Sequence, residues 1–358
     1  MTDAAPRSQL TLRDGGWILI VTALTVVALL VWAFAGILAG HRPQGGGDLA
    51  SYGFDLSTCL VDRAELIPTG QPRDFLRPLV VTSTMPVSAM AEFNRTHRKH
   101  YVVSKDRVIG VTCNGESRAY PVRLVQAHEL VEDTLGGVPI VVSYSPFCDA
   151  AAVYERTLNG QMLSFELSGL VRNANTIFYD KSADGSQQPS LWQQLDGRAI
   201  AGPAAARGDR LTLIPGTCMT TFSDWLKTYP ESTVAARDQG RVRYYESISY
   251  RRAHESAEIG FPLVAMPPSG GLAPKEAVVV IEVDGTRKAY AIERARSEGR
   301  VEWLVDDARS SFTLHVPAVT GTARITSADG TSMTCTPMFW FAAYATFGLR
   351  EADIVRPR

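Results

Sequence analysis

Val108–Tyr120 reads VIGVTCNGESRAY, and Val278–Tyr290 reads VVVIEVDGTRKAY. The two stretches lie over one another without a gap: Gly115 falls on Gly285, and Ala119-Tyr120 falls on Ala289-Tyr290. In the first, apolar and β-branched residues run up to Asn114-Gly115 and resume after it. That pattern predicts a hairpin closed by a type I′ turn. Downstream, Cys218-x-x-x-Phe222 is matched by Cys335-x-x-x-Phe339, each opening a predicted helix with an aromatic face. Two matches in the same order point to two related halves, 50–240 and 241–350, descended from a diverged duplication. The expected class is a β-rich α+β fold.

Working outward from the first hairpin, Val122, Val125, Leu130 and Val131 carry a helical spacing and predict a short helix over Pro121–Val131. Gly136-Gly137 ends it, and Val138–Tyr144 reads as a buried strand. Leu158-Asn159-Gly160 signals a second hairpin, and Phe222–Tyr229 a helix stopped by Pro230. The second half lacks what distinguishes the first. The ungapped alignment puts Glu298 where His128 stands, and the strand ending Leu314-His315-Val316 has no cysteine near it. Chemistry is therefore expected in the first half, with the second mainly structural.

At the other end of the chain, no charged residue occurs from Gly15 to Gly40. Trp17–Ala39 would span about 35 Å as a helix, against a hydrocarbon core of about 30 Å. A cleavable signal has a shorter apolar region, about 7–15 residues. The reading is a short cytoplasmic N-terminus (1–16), a transmembrane anchor (17–39) and a Gly-rich tether (40–49). Arg7 and Arg13 precede the span, which places the remaining chain on the periplasmic or extracellular side.

The chain has 36 Lys+Arg against 37 Asp+Glu, a formal net charge of −1, which argues against nucleic acid as a partner. The membrane, through 17–39, and an unidentified protein are the partners left open. Five cysteines are too few for a disulfide scaffold, and an odd number leaves one outside any intramolecular pair.

His128 and Cys148 form the leading constellation. On a helix His128 and Glu132 would share a face, and the strand exit at Tyr144–Cys148 would deliver a thiolate beside them. Imidazole with thiolate suits copper or zinc, the third ligand being Glu132, Met219 or Cys218. Beside an imidazolium, Cys148 should also outpace Cys113, whose strand position reads as buried. The competing reading is a structural polar cluster within a non-catalytic binding or assembly module. His128-Glu-Leu-Val-Glu132 is not the HExxH of a zincin, and no P-loop, G-x-G-x-x-G or G-x-S-x-G occurs. His97 and His100 lie among Arg95, Arg98 and Lys99 and read as a solvated face. Asn173 and Asn175 are candidate ligand-binding amides or self-satisfied loop residues.

An ordered string of motifs resembles a known family. It comprises Tyr120-Pro121, His128-Glu129, Asp133-Thr134, Gly136-Gly137-x-Pro139 and Tyr144-x-Pro146-x-Cys148. It continues through Ser168-Gly169-Leu170-x-x-Asn173, Tyr179-Asp180, Leu191-Trp192 and the aromatic run Phe339–Ala342. The chain from about 50 to 347 thus resembles the domain-of-unknown-function family 3179. That resemblance implies no activity. Members of the family often carry Cys-Pro-x-Cys where this chain has Ser145-Pro146-Phe147-Cys148, and Gly where it has Asp149. A dithiol cycle implied by the family has no second cysteine here. The function expected is a membrane-anchored extracytoplasmic protein with a soft-metal His/Cys site, or the non-catalytic module.

Overall fold

The computed structural model describes residues 21–22, 24–25, 47–181, 188–283, 285–306 and 311–357. The anchor expected over 17–39 lies outside them, apart from Val21, Thr22, Leu24 and Thr25, which are helical. No helix among the described residues is long and apolar enough to cross a membrane.

The first hairpin pairs β1 (Arg107–Cys113) with β2 (Glu116–Pro121), in register from Val108↔Pro121 to Cys113↔Glu116. Asn114 (φ 47°) and Gly115 (φ 83°) both take the left-handed conformation that a type I′ turn requires. Alternation splits the hairpin between two cores. Ile109, Val111 and Tyr120 enter one, Val108 and Ala119 the other. Gly110 is fixed by packing, because a Cβ there would lie 2.0 Å from the Trp225 ring.

Helix α1 is shorter than the sequence pattern suggests. Only Val122–Val125 is helical, and Leu130 already begins strand β3 (Leu130–Leu135). The turn passes through Glu129 at φ 56°, which no right-handed helix accommodates. Strands β3, β4 (Val138–Ser145) and β5 (Ala150–Glu155) form an antiparallel meander. Next come β6 (Ser164–Arg172) and β7 (Asn175–Lys181), which pair in a further sheet of five strands. Strand β8 (Cys218–Thr221) then returns to β1, helix α2 (Phe222–Thr228) follows, and β9 (Thr233–Ala235) runs parallel to β2.

The C-terminal sheet has the same connectivity. Strands β10 (Ala277–Val283) and β11 (Thr286–Tyr290) make a hairpin, and helix α3 (Ile292–Ser297) follows it. A meander of β12 (Glu302–Asp306), β13 (Ser311–His315) and β14 (Arg324–Ser327) comes next. Strand β15 (Thr336–Phe339) pairs antiparallel with β10, helix α4 (Trp340–Phe347) follows, and β16 (Ile354–Val355) runs parallel to β11. Thr221 stands opposite Arg107 as Phe339 stands opposite Ala277. That register makes Phe222 the counterpart of Trp340, each the first residue of its helix. The Cys218/Cys335 match read from the sequence is therefore one residue out of step with the ladders.

Backbone contacts tie the earlier part of the chain to the C-terminal part. Met219 bridges Ala323, the Cys335 N–H donates to Thr217 O, and the Phe339 N–H donates to Cys148 O. Gly45–Arg358 forms one compact unit. All five cysteines are free thiols.

Candidate functional site

The turn between α1 and β3 builds the site. The Glu129 N–H donates to Val125 O (2.7 Å), while Glu129 O accepts from the Tyr144 N–H (2.9 Å). These bonds hold Glu129 in left-handed backbone, which costs a residue with a Cβ about 1–2 kcal/mol. Glu129 is 4% exposed and lines a cavity of about 370 Å³. Sixteen described residues line that cavity, and Glu129 is the one charged side chain among them. Phe147, Tyr250 and Phe261 supply an aromatic wall, and Leu167, Ile177 and Ile248 further apolar surface.

Glu129 has little polar support. The Thr176 hydroxyl donates to Oε2 at 2.9 Å, and Ser145 Oγ lies 3.2 Å beyond the Thr176 oxygen, accepting the Thr176 N–H at 3.1 Å. Burial without a cation pushes the Glu129 carboxyl up to about 7, the Thr176 bond opposing the rise. Tyr250 is raised too, by burial and then by the charge of Glu129.

A larger cavity of about 820 Å³ adjoins this one, and Gln126, Ile248 and Tyr250 line both. Phe147 faces the smaller cavity and Asp149 the larger. Pro146 O lies 2.7 Å from His254 Nε2. Asp149, at φ 50°, receives two Arg107 bonds (2.7 and 2.6 Å) and one from the Tyr144 hydroxyl (2.6 Å). Burial works to raise the Asp149 carboxyl, but the Arg107 charge and these bonds hold it below the usual range. Asp149 takes this left-handed position, and its side chain anchors Arg107.

Three residues proposed as a metal set are placed apart in function. His128 Nδ1 lies 2.8 Å from Arg77 O and Nε2 lies 3.2 Å from the Tyr245 hydroxyl, with burial lowering its pKa. Glu132 is on β3, not on a helix with His128. It binds Arg156 (3.0 Å) and the Phe165 N–H (3.0 Å). Cys148 is fully buried, its thiol reaching Asn173 O at 3.7 Å. Burial pushes that thiol up to about 12, against bonds from Ser145 and Asn175. Met219 and Cys218 belong to two different cores. Among the described residues no group of three or more His, Cys, Asp or Glu side chains is placed to hold a metal ion. The burial read from the sequence for the two cysteines differs too, since Cys113 is partly exposed and Cys148 sealed.

Asn173 and Asn175 serve the fold. Asn173 accepts from the Val264 N–H and donates to Ala345 O; Asn175 donates to Gln194 Oε1 and accepts from the Leu195 N–H. His97 and His100 are exposed, as expected. Sequence reasoning placed Glu129 in the family string but gave it no role, and missed Tyr250 and Phe261 altogether. The available signal was a His-Glu pair followed by the Tyr144-x-Pro146-x-Cys148 turn that lies against it.

A family model described as "Protein of unknown function (DUF3179)" matches residues 84–339, which takes in the cavity's Glu129, Phe147, Thr176, Tyr250 and Phe261. Neither a curated protein nor a solved structure matches the chain.

Proposed function

We propose that this chain, which belongs to the DUF3179 family, binds a small molecule in the Glu129 cavity, with Glu129 as the proton donor and acceptor there. One observation carries the reading: among the described residues, a buried carboxyl is the sole ionisable acid or base with a charge to offer in a largely apolar cavity. A volume of about 370 Å³ lies in the range of small-ligand pockets. A group titrating at about 7 exchanges its proton near neutral pH, the condition for general acid–base work. The test is ligand-observed NMR of a fragment panel against the full chain and against Leu76→Trp, which narrows this cavity from a wall the larger one does not share. Hits lost in Leu76→Trp support the reading. Hits unaffected by it, or none at all, contradict it.

The uncharged run 17–39 supports a second part of the proposal. It holds the domain at a membrane, on the periplasmic or extracellular side, through the tether 40–49. A C-terminal reporter active only in the cytoplasm should stay silent, and an active reporter would overturn this orientation. The matched strand order and sense of the two sheets favour descent by duplication. Only the first copy then acquired the 157–217 insertion, which supplies Leu167 and Thr176 to the cavity.

A further inference from the structure

We propose that the ligand of the Glu129 cavity is a small organic ammonium ion. The inference rests on the cavity being a ligand site and names the chemistry it selects. Among the described residues no Lys, Arg or His lines the cavity, so an anion would meet the Glu129 carboxylate with no cation there to offset it. A neutral ligand leaves that carboxylate buried and unpaired. A cation supplies the missing countercharge.

The walls fit the same chemistry. Phe147 meets Phe261 at 4.8 Å and 74°, and Tyr250 at 5.8 Å and 85°, so three rings form one contiguous aromatic cluster that lines the cavity. Aromatic rings attract ammonium groups electrostatically, and most strongly where water is excluded. The other groups facing Glu129 are Thr176 from β7, Ser145 from β4 and Tyr250 from the 242–261 segment, of which Tyr250 alone titrates. His128, next in the chain, is turned to Arg77 O and the Tyr245 hydroxyl. Glu129 therefore sets the pH response. Its carboxyl holds a proton below about 7 and loses it above, so ammonium binding should strengthen as pH rises.

The experiment is calorimetry on the full-length chain with choline and with its uncharged isostere 3,3-dimethylbutan-1-ol, at pH 6 and pH 8. Choline should bind about tenfold or more tighter than the isostere at pH 8, the order expected of a desolvated cation–π and ion-pair site. The preference should shrink at pH 6, and Glu129→Gln should remove both the preference and its pH dependence. Should Glu129→Gln fail to fold, Tyr250→Leu should weaken choline selectively and leave the isostere unchanged. Equal binding of the two compounds overturns the ammonium assignment while the cavity stands as a ligand site. No binding of either overturns the assignment as well, and the fragment panel then decides the fate of the cavity.

Discussion

Glu129 and Asp149 are both buried acids in left-handed backbone, one just before the β-meander and one in its β4–β5 turn, yet their protons are held in opposite ways. Asp149 has a guanidinium and a phenol hydroxyl against it, and its pKa is lowered. Glu129 has one threonine hydroxyl and a cavity, and its pKa is raised to about 7. Burial acts on both in the same direction, so the countercharge decides the outcome. The comparison separates a carboxylate that holds the fold together from one that is free to act.

The largest effect should come from breaking the Asp149 side. Arg107→Ala leaves a buried carboxylate alone and should cost about 3–5 kcal/mol in urea unfolding. Pairing Arg107→Met with Asp149→Gly should cost less than Arg107→Ala, because no charge is then stranded and glycine suits the left-handed position. If the double variant is the less stable of the two, the pair is not the structural element described.

Next is Glu129→Gln, read against pH. A carboxyl whose folded pKa stands above its unfolded value of 4.5 contributes stability below 4.5, and that stability is lost as pH rises through about 7. Between those limits the wild-type chain should lose about 3 kcal/mol that the Gln variant keeps. Asp149 responds in the opposite sense, its contribution being lost on acidification below the ordinary Asp range. Parallel stability–pH curves for Glu129→Gln and wild type would erase the contrast. Thr176→Val is smaller: losing that donor should raise the Glu129 pKa further and change stability by about 1 kcal/mol. Smallest in energy is thiol labelling of the native chain. Cys59 and Cys113, the partly exposed pair, should react while Cys148 stays intact, and fast alkylation of Cys148 would mean the Ser145–Asp149 loop opens.

Much of this arrangement was legible in the sequence wherever the cause is local. Asn114-Gly115 dictates its turn, Pro230 ends α2, and the hairpin match at Val278–Tyr290 corresponds to two sheets of like connectivity. The helix over Pro121–Val131 failed because its spacing is right while Glu129 turns left-handed, held by a bond to Tyr144 that no short-range pattern announces. The shared helical face expected for His128 and Glu132 is absent for the same reason. With Glu132 on a strand, its carboxylate goes to Arg156 instead. The cavity was illegible because its walls come from segments as distant as Phe75, Glu129, Thr176 and Phe261.

The most direct test of the central claim is a carbon-detected NMR titration of the glutamate carboxyls, with Glu129 assigned by the resonance missing in Glu129→Gln. A buried Glu129 carboxyl with no cation beside it should give a midpoint at about 7 for that resonance. A midpoint at the ordinary glutamate value, near 4.5, would mean that water or a cation reaches the carboxyl, and the claim would be wrong.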